Sequence, residues 1–202
     1  MKLYYTPGAC SLSPHIALRE ANVPFELVQV DLREKRTRDG ADFVRINPKG
    51  YVPALGLDDG LVITEGAVIV QYIADRVPDA QLAPPPGTFE RIRLQEWLNF
   101  IATELHKGFG PISNPKAGDD LKRSIRERLD LRFAFLAQTV DTRPFLLGQR
   151  FTVADGYAYY TLRNLRQLDA TALERSHSLK SYFERIGSRP AVRAALTVEG
   201  LS

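Results

Sequence analysis

Cys10 is the only thiol in a chain of 202 residues. It stands in the run Tyr5-Thr6-Pro7-Gly8-Ala9-Cys10-Ser11-Leu12-Ser13-Pro14, between a strand-like stretch (residues 1–5) and an amphipathic one (residues 15–21). That order places it in a turn at or just before a helix N-terminus. There, unpaired backbone N–H groups and the helix dipole favour an anion, hence thiolate over thiol. A free cysteine titrates near ~8.5, and such a position lowers that by roughly one to several units. The small residues Gly8, Ala9 and Ser11 leave the sulfur room to meet a ligand. The competing reading is a buried, inert cysteine.

Four other places have residue types suited to chemistry or to holding it in place. A proline, Pro53, heads a strand after the turn Asn47-Pro48-Lys49-Gly50. Proline cannot donate to a sheet ladder, and a cis Val52–Pro53 bond would leave the Val52 backbone groups for a ligand. A trans proline on an edge strand is the alternative, and sequence does not choose between them. At Thr64-Glu65-Gly66 a strand ends and a helix starts, with Thr64 as N-cap. Gly66 lets a ligand approach the backbone, the helix N-terminus suits a carboxylate, and Glu65 suits an ammonium. Together they fit an amino-acid-like end, although alone they read as an ordinary first-turn glutamate and a packing glycine.

Further on, Leu94, Trp97, Leu98, Ile101 and Leu105 form the buried stripe of a helix predicted over 89–107. Asn99, Thr103 and His106 stand at i, i+4 and i+7, so they are expected to share a polar face beside Glu104 and Lys107. No second histidine or cysteine stands at ligand spacing, so no metal is expected. Phe151-Thr152-Val153-Ala154-Asp155 has capping-box spacing, with Thr152 as N-cap and Asp155 at N3, a structural role. The accompanying staple from Phe151 would meet Gly156, which has no side chain, and is therefore weak.

These residues need a frame to position them. Residues 2–5 and 25–30 read as strands around a helix at 14–21, a βαβ opening with parallel strands. Residues 52–57 and 61–64 flank Asp58-Asp59-Gly60 as a hairpin, and 65–77 has the apolar spacing of a helix packed on a sheet. The only proline-rich stretch, 78–88, reads as a linker. Beyond it only helical period appears, at 89–107, 120–140, 153–167, 179–186 and 191–198. The expected organisation is an α/β domain over 1–77, the linker 78–88, and an all-α domain over 89–202.

Composition narrows the classes. Hydrophobic residues at 44% and charged ones at 25% are those of an ordinary globular protein. No apolar run approaches the ~20 residues of a membrane span, and the N-terminus lacks a signal-peptide pattern. A single cysteine cannot close an intrachain disulfide, which fits a reducing cytoplasm. Net charge is +3. The densest basic run, Arg33-Glu34-Lys35-Arg36-Thr37-Arg38, contains an acid and no aromatics, so it reads as a solvated loop rather than a nucleic-acid surface.

The motifs converge in order and spacing. Tyr4 to His15, Asn47 to Pro53, Leu61 to Gly66, Glu96 to Phe100, Glu104 to Lys107, Phe151 to Asp155 and Glu199-Gly200-Leu201 together resemble a cytosolic glutathione S-transferase, most of all the bacterial beta class. The resemblance covers nearly the whole chain. It implies a thioredoxin-like N-terminal domain, a helical C-terminal domain, a homodimer, and glutathione as co-substrate. It implies that Cys10 faces the glutathione sulfur and that Val52, before a cis Pro53, pairs its backbone with the cysteinyl part. Glu65 and Gly66 would hold the γ-glutamyl end and Lys35 the glycine carboxylate, while Asn99, Thr103, Glu104, His106 and Lys107 complete the site. Tyr51 stands where glutamine is frequent in the family, and Asn164 where a tryptophan is expected.

The implied chemistry is ionisation of the glutathione thiol, helped by Cys10 and His106, and its attack on an electrophile such as an aryl halide. A thioredoxin-type resolving cysteine would stand at position 13, which is Ser13. A mixed disulfide of Cys10 with glutathione would therefore need a second glutathione to resolve it. The alternative is a non-catalytic ligand-binding or regulatory protein on the same fold.

Overall fold

The computed structural model describes residues 1–201, which form two compact units. The first comprises Met1–Ala83 together with the end of the chain from Ser188 onward; the second is Pro84–Gly187. The main division thus falls inside the proline-rich stretch. The last helix, which sequence order would group with the other helices, is folded into the first unit because its apolar face is buried there.

In the first unit the elements are β1 (Lys2–Tyr5), α1 (Leu12–Glu20), β2 (Glu26–Asp31), β3 (Arg36–Thr37), α2 (Phe43–Ile46), β4 (Ala54–Gly56), β5 (Val62–Thr64) and α3 (Gly66–Arg76). One five-stranded sheet runs in the order β3-β2-β1-β4-β5. β1 and β2 are parallel, with Leu3 opposite Leu27, as the βαβ opening requires. The rest of the sheet is antiparallel: Tyr4 faces Ala54, Leu55 faces Ile63, and Val30 faces Thr37. The sheet is therefore mixed. The antiparallel β4–β5 pairing follows from the tight turn at Asp58-Asp59-Gly60, since a short hairpin can join only antiparallel strands.

Leu3, Ile16, Leu18, Leu55, Ile69 and Ile73 are fully or almost fully buried among β1, α1, β4 and α3. Phe43 of α2 joins a further core cluster with Val30, Val52 and Ala54. The chain's last helix, α9 (Pro190–Val198), packs on α1 and buries Val192 and Ala195. β3 and α2 are too short to carry a hydrophobic period, so no pattern announces them.

The second unit holds α4 (Phe89–Phe100), α5 (Phe109–Ser113), α6 (Asp119–Asp141), α7 (Val153–Leu168) and α8 (His177–Gly187). The helix expected over 89–107 does not continue as one α-helix. Residues Ile101–His106 form a turn of π-helix, in which the Lys107 N–H donates to the Ala102 carbonyl at 3.3 Å, five residues back. α7 is the central helix, buried from Val153 through Leu162.

Its start is fixed by Asp155, whose carboxylate accepts from the Thr152 N–H (2.8 Å) and hydroxyl (3.1 Å), the Leu146 N–H (2.9 Å) and the Tyr182 hydroxyl (2.7 Å). Burial pushes the Asp155 carboxyl up, and these four donors pull it back toward ionisation.

Candidate active site

In the first unit the Cys10 turn is closed from several directions. Ala9 donates to the Thr6 carbonyl at 3.0 Å, and the Ser11 hydroxyl bonds both the N–H and the carbonyl of Thr6 at 3.2 Å. Gly8 takes φ +73°, a conformation that favours glycine, and its N–H donates to a Glu199 carboxylate oxygen at 3.0 Å. The other Glu199 oxygen lies 2.7 Å from Nδ1 of His15, and both side chains are fully buried. The residue just past α9 thus ties down the turn that presents the thiol. His15 and Glu199 are 184 residues apart, and no local signal pairs them.

Cys10 sits two residues before α1, half-buried, and its thiol donates to the Val52 carbonyl at 3.3 Å. The Val52–Pro53 bond is cis. A Cβ placed on Gly66 would lie 3.7 Å from the Pro53 ring, so the start of α3 adjoins that proline. Lys35, at φ +54°, reaches the Gly50 carbonyl with its ammonium at 2.6 Å. Glu65, at φ +68°, accepts from the Lys49 ammonium (2.6 Å) and the Tyr51 hydroxyl (3.0 Å) through one oxygen. The first unit therefore brings together Cys10, Lys35, Val52, Pro53, Glu65 and Gly66. The Lys49 contact shows the Glu65 carboxylate holding a primary ammonium. Both partners are about half exposed, so this pairing is weak and exchangeable.

In the second unit the expected polar face is split. Asn99 and Thr103 are exposed, and the Thr103 hydroxyl donates to the Asn99 carbonyl at 3.0 Å. Glu104 pairs with Arg132 of α6 at 2.8 Å, and Lys107 is exposed. His106 does not share that face. The extra residue in the π-helical turn rotates it onto α7, where Nδ1 lies 2.8 Å from the Tyr157 hydroxyl and the ring meets Tyr160 edge-on at 5.1 Å. Burial, then the neighbouring Lys107 charge, push the His106 imidazole down to about 4. It is the neutral ring that is present at physiological pH. Among the described residues, no group of three or more His, Cys, Asp or Glu side chains could hold a metal ion. Nor is any helix long and apolar enough to cross a membrane.

The low His106 value has a measurable consequence. The folded value lies below the ordinary 6.5, so the unfolded chain takes up the proton first as pH falls. Stability linked to this ring is complete above pH 6.5 and is lost progressively down to about pH 4. The loss is about 3 kcal/mol over that window. Urea unfolding at a series of pH values, on wild type and His106→Asn, should show the difference in stability changing with pH by that amount. A difference that stays flat would refute the buried neutral ring.

A thiol held before the first helix of a mixed sheet, beside a cis-proline, defines the thioredoxin-like class of folds, here followed by a helical unit. Residues 1–75 match the family described as glutathione S-transferase, N-terminal domain, and residues 100–190 match the glutathione S-transferase, C-terminal domain. The chain belongs to the glutathione S-transferase family and falls among bacterial beta-class members. It is 45% identical over 201 residues to the glutathione S-transferase GstA of Escherichia coli O157:H7, each chain covered in full. Among solved structures it is similar to BphK, a bacterial glutathione S-transferase in a ternary complex (TM-score 0.96, 52% identity, both chains covered in full). It is also similar to a sphingomonad glutathione S-transferase complexed with glutathione (TM-score 0.94, 42% identity, both chains covered in full).

Proposed function

We propose that this glutathione S-transferase conjugates glutathione to small electrophiles such as aryl halides, and that Cys10 also exchanges disulfides with glutathione. The observation that carries the reading is the thiol of Cys10 bonded to the Val52 carbonyl, with Lys35 and the Glu65–Gly66 helix start on the same unit. In this reading the Val52 backbone takes the cysteinyl part of glutathione, and Lys35 takes the glycine carboxylate. Glu65 exchanges the Lys49 ammonium for the γ-glutamyl one, and Gly66 leaves the α3 amides open to the adjoining carboxylate. Asn99, Thr103, Glu104, His106 and Lys107 complete the site in a cytoplasmic homodimer.

The glutathione thiol gives up its proton to solvent while Cys10 and His106 hydrogen-bond the sulfur. The thiolate then forms a C–S bond to the electrophile, and the carbon–halogen bond breaks with the pair leaving on halide. Holding both reactants lowers the entropic barrier, and a larger thiolate fraction raises the rate at neutral pH. The test is retention on immobilised glutathione together with turnover of an electrophilic aryl halide. We expect both; absence of both sinks the reading.

A further inference from the structure

We propose that Tyr157 is a positioning residue that fixes the tautomer of His106, donating its hydroxyl to Nδ1 so that Nε2 carries the ring proton. The proposal rests on the reading above, in which His106 is a hydrogen-bond donor to the glutathione sulfur. Tyr157 and His106 are 2.8 Å apart at Oη and Nδ1. Tyr157 is 4% exposed, so its hydroxyl has little solvent as an alternative.

A neutral imidazole has one donor and one acceptor nitrogen, and the bond made by one decides the role of the other. Two arrangements fit the distance: O–H to bare nitrogen, or N–H to phenol oxygen. The first is favoured because the bare imidazole nitrogen is a far stronger base than a phenol oxygen. A phenol O–H, which titrates near ~10, is the better donor of the two. The ring nitrogen, even pushed down to about 4 here, binds a proton where a neutral phenol oxygen does not.

The ring plane is fixed as well. Tyr157 and Tyr160, one turn apart on α7, meet the His106 ring at 70° and 90°, with centroids 5.8 and 5.1 Å away. Rotamer and tautomer are thus set by one buried helix face. His106 presents Nε2–H as a neutral donor, and a thiolate is the acceptor such a donor stabilises. Tyr157 and Tyr160 from α7 pack on the ring, and Lys107 of its own turn supplies a neighbouring charge.

The experiment is long-range proton–nitrogen NMR on ligand-free protein labelled at histidine. The chain has three histidines, and His106 is assigned by the signals lost in His106→Asn. We expect a protonated Nε2 and a bare, hydrogen-bonded Nδ1 at neutral pH. In Tyr157→Phe the Nδ1 signal should move downfield toward an unbonded ring nitrogen. Turnover with glutathione should fall about five- to tenfold, the worth of one hydrogen bond. Adding Tyr157→Phe to His106→Asn should cost nothing further, since the tyrosine acts through the histidine. A proton on Nδ1 in the wild type, an unmoved signal in Tyr157→Phe, or additive losses in the double variant would overturn the proposal. If Tyr157→Phe does not fold, the wild-type tautomer alone decides. Failure of the transferase reading shows up separately, as a wild type with the expected tautomer and no turnover.

Discussion

Replacing Cys10 by alanine is expected to abolish the glutathione adduct that oxidised glutathione leaves on the wild-type protein. In the wild type, the Cys10 thiolate attacks one sulfur of oxidised glutathione. A Cys10–glutathione disulfide forms, the glutathione disulfide breaks, and one glutathione thiolate leaves with the bonding pair. Intact mass then rises by about 305 Da, one glutathionyl group less the displaced proton. The bond to the Val52 carbonyl is made by the protonated thiol, so reaction requires the sulfur to leave that oxygen. The small neighbours Gly8, Ala9 and Ser11 leave it room to do so. Position 13 is a serine, so no internal thiol can release the adduct. It should persist until reduced glutathione is added, whose thiolate attacks, frees Cys10 and departs as oxidised glutathione.

Aryl-halide turnover in Cys10→Ala is expected to fall by roughly tenfold rather than vanish, since one of two hydrogen bonds to the sulfur remains. An adduct of the same mass on Cys10→Ala would place the reactive atom elsewhere. An adduct that clears from wild type without added thiol would contradict resolution by a second glutathione.

The Cys10 turn is the part of the site most legible in the sequence, because its cues are local. A strand, small residues and an amphipathic run suffice to place a cysteine before a helix. The same holds for the hairpin at Asp58-Asp59-Gly60 and for the change from strand to helical period at the proline-rich stretch. The isomer of Val52–Pro53 was not legible, because neighbouring residues do not encode it and the surrounding fold decides it.

The placement of His106 was illegible for a different reason. Ile101 and Leu105 keep ordinary helical spacing, so nothing in the string marks the π-helical turn Ile101–His106. Packing against α7 and α6 selects the wider turn and carries His106 off the face that Asn99 and Thr103 occupy. The Gly8–Glu199–His15 tie is invisible in another way. It joins the two ends of the chain, and only the return of α9 onto α1 brings them into contact.

The second large effect is expected at Asp155, where Asp155→Ala should lower the stability of the helical unit by about 3–5 kcal/mol. The carboxylate is fully buried and serves four donors, two of them the backbone N–H groups of Thr152 and Leu146. Alanine strips all four at once in a place water cannot reach, and it leaves the space of a carboxylate empty. The cost per stranded donor is ~1–3 kcal/mol, reduced where the chain can relax to find another acceptor.

Asp155→Asn separates these contributions. The amide keeps the shape, and its oxygen can still accept from Leu146 and Tyr182. Its NH2 group, however, turns donors toward the Thr152 N–H and hydroxyl, so about half of the alanine loss should remain. Urea unfolding followed by far-ultraviolet circular dichroism orders the three proteins, and equal stability of Asp155→Asn and wild type would show that the Thr152 arm contributes nothing. The consequence reaches the chemistry, because Tyr157 lies two residues further along the same helix. A frayed start of α7 displaces its hydroxyl from His106 Nδ1. Asp155→Asn should therefore lose turnover in proportion to the Tyr157–His106 bond even at temperatures where the protein remains folded.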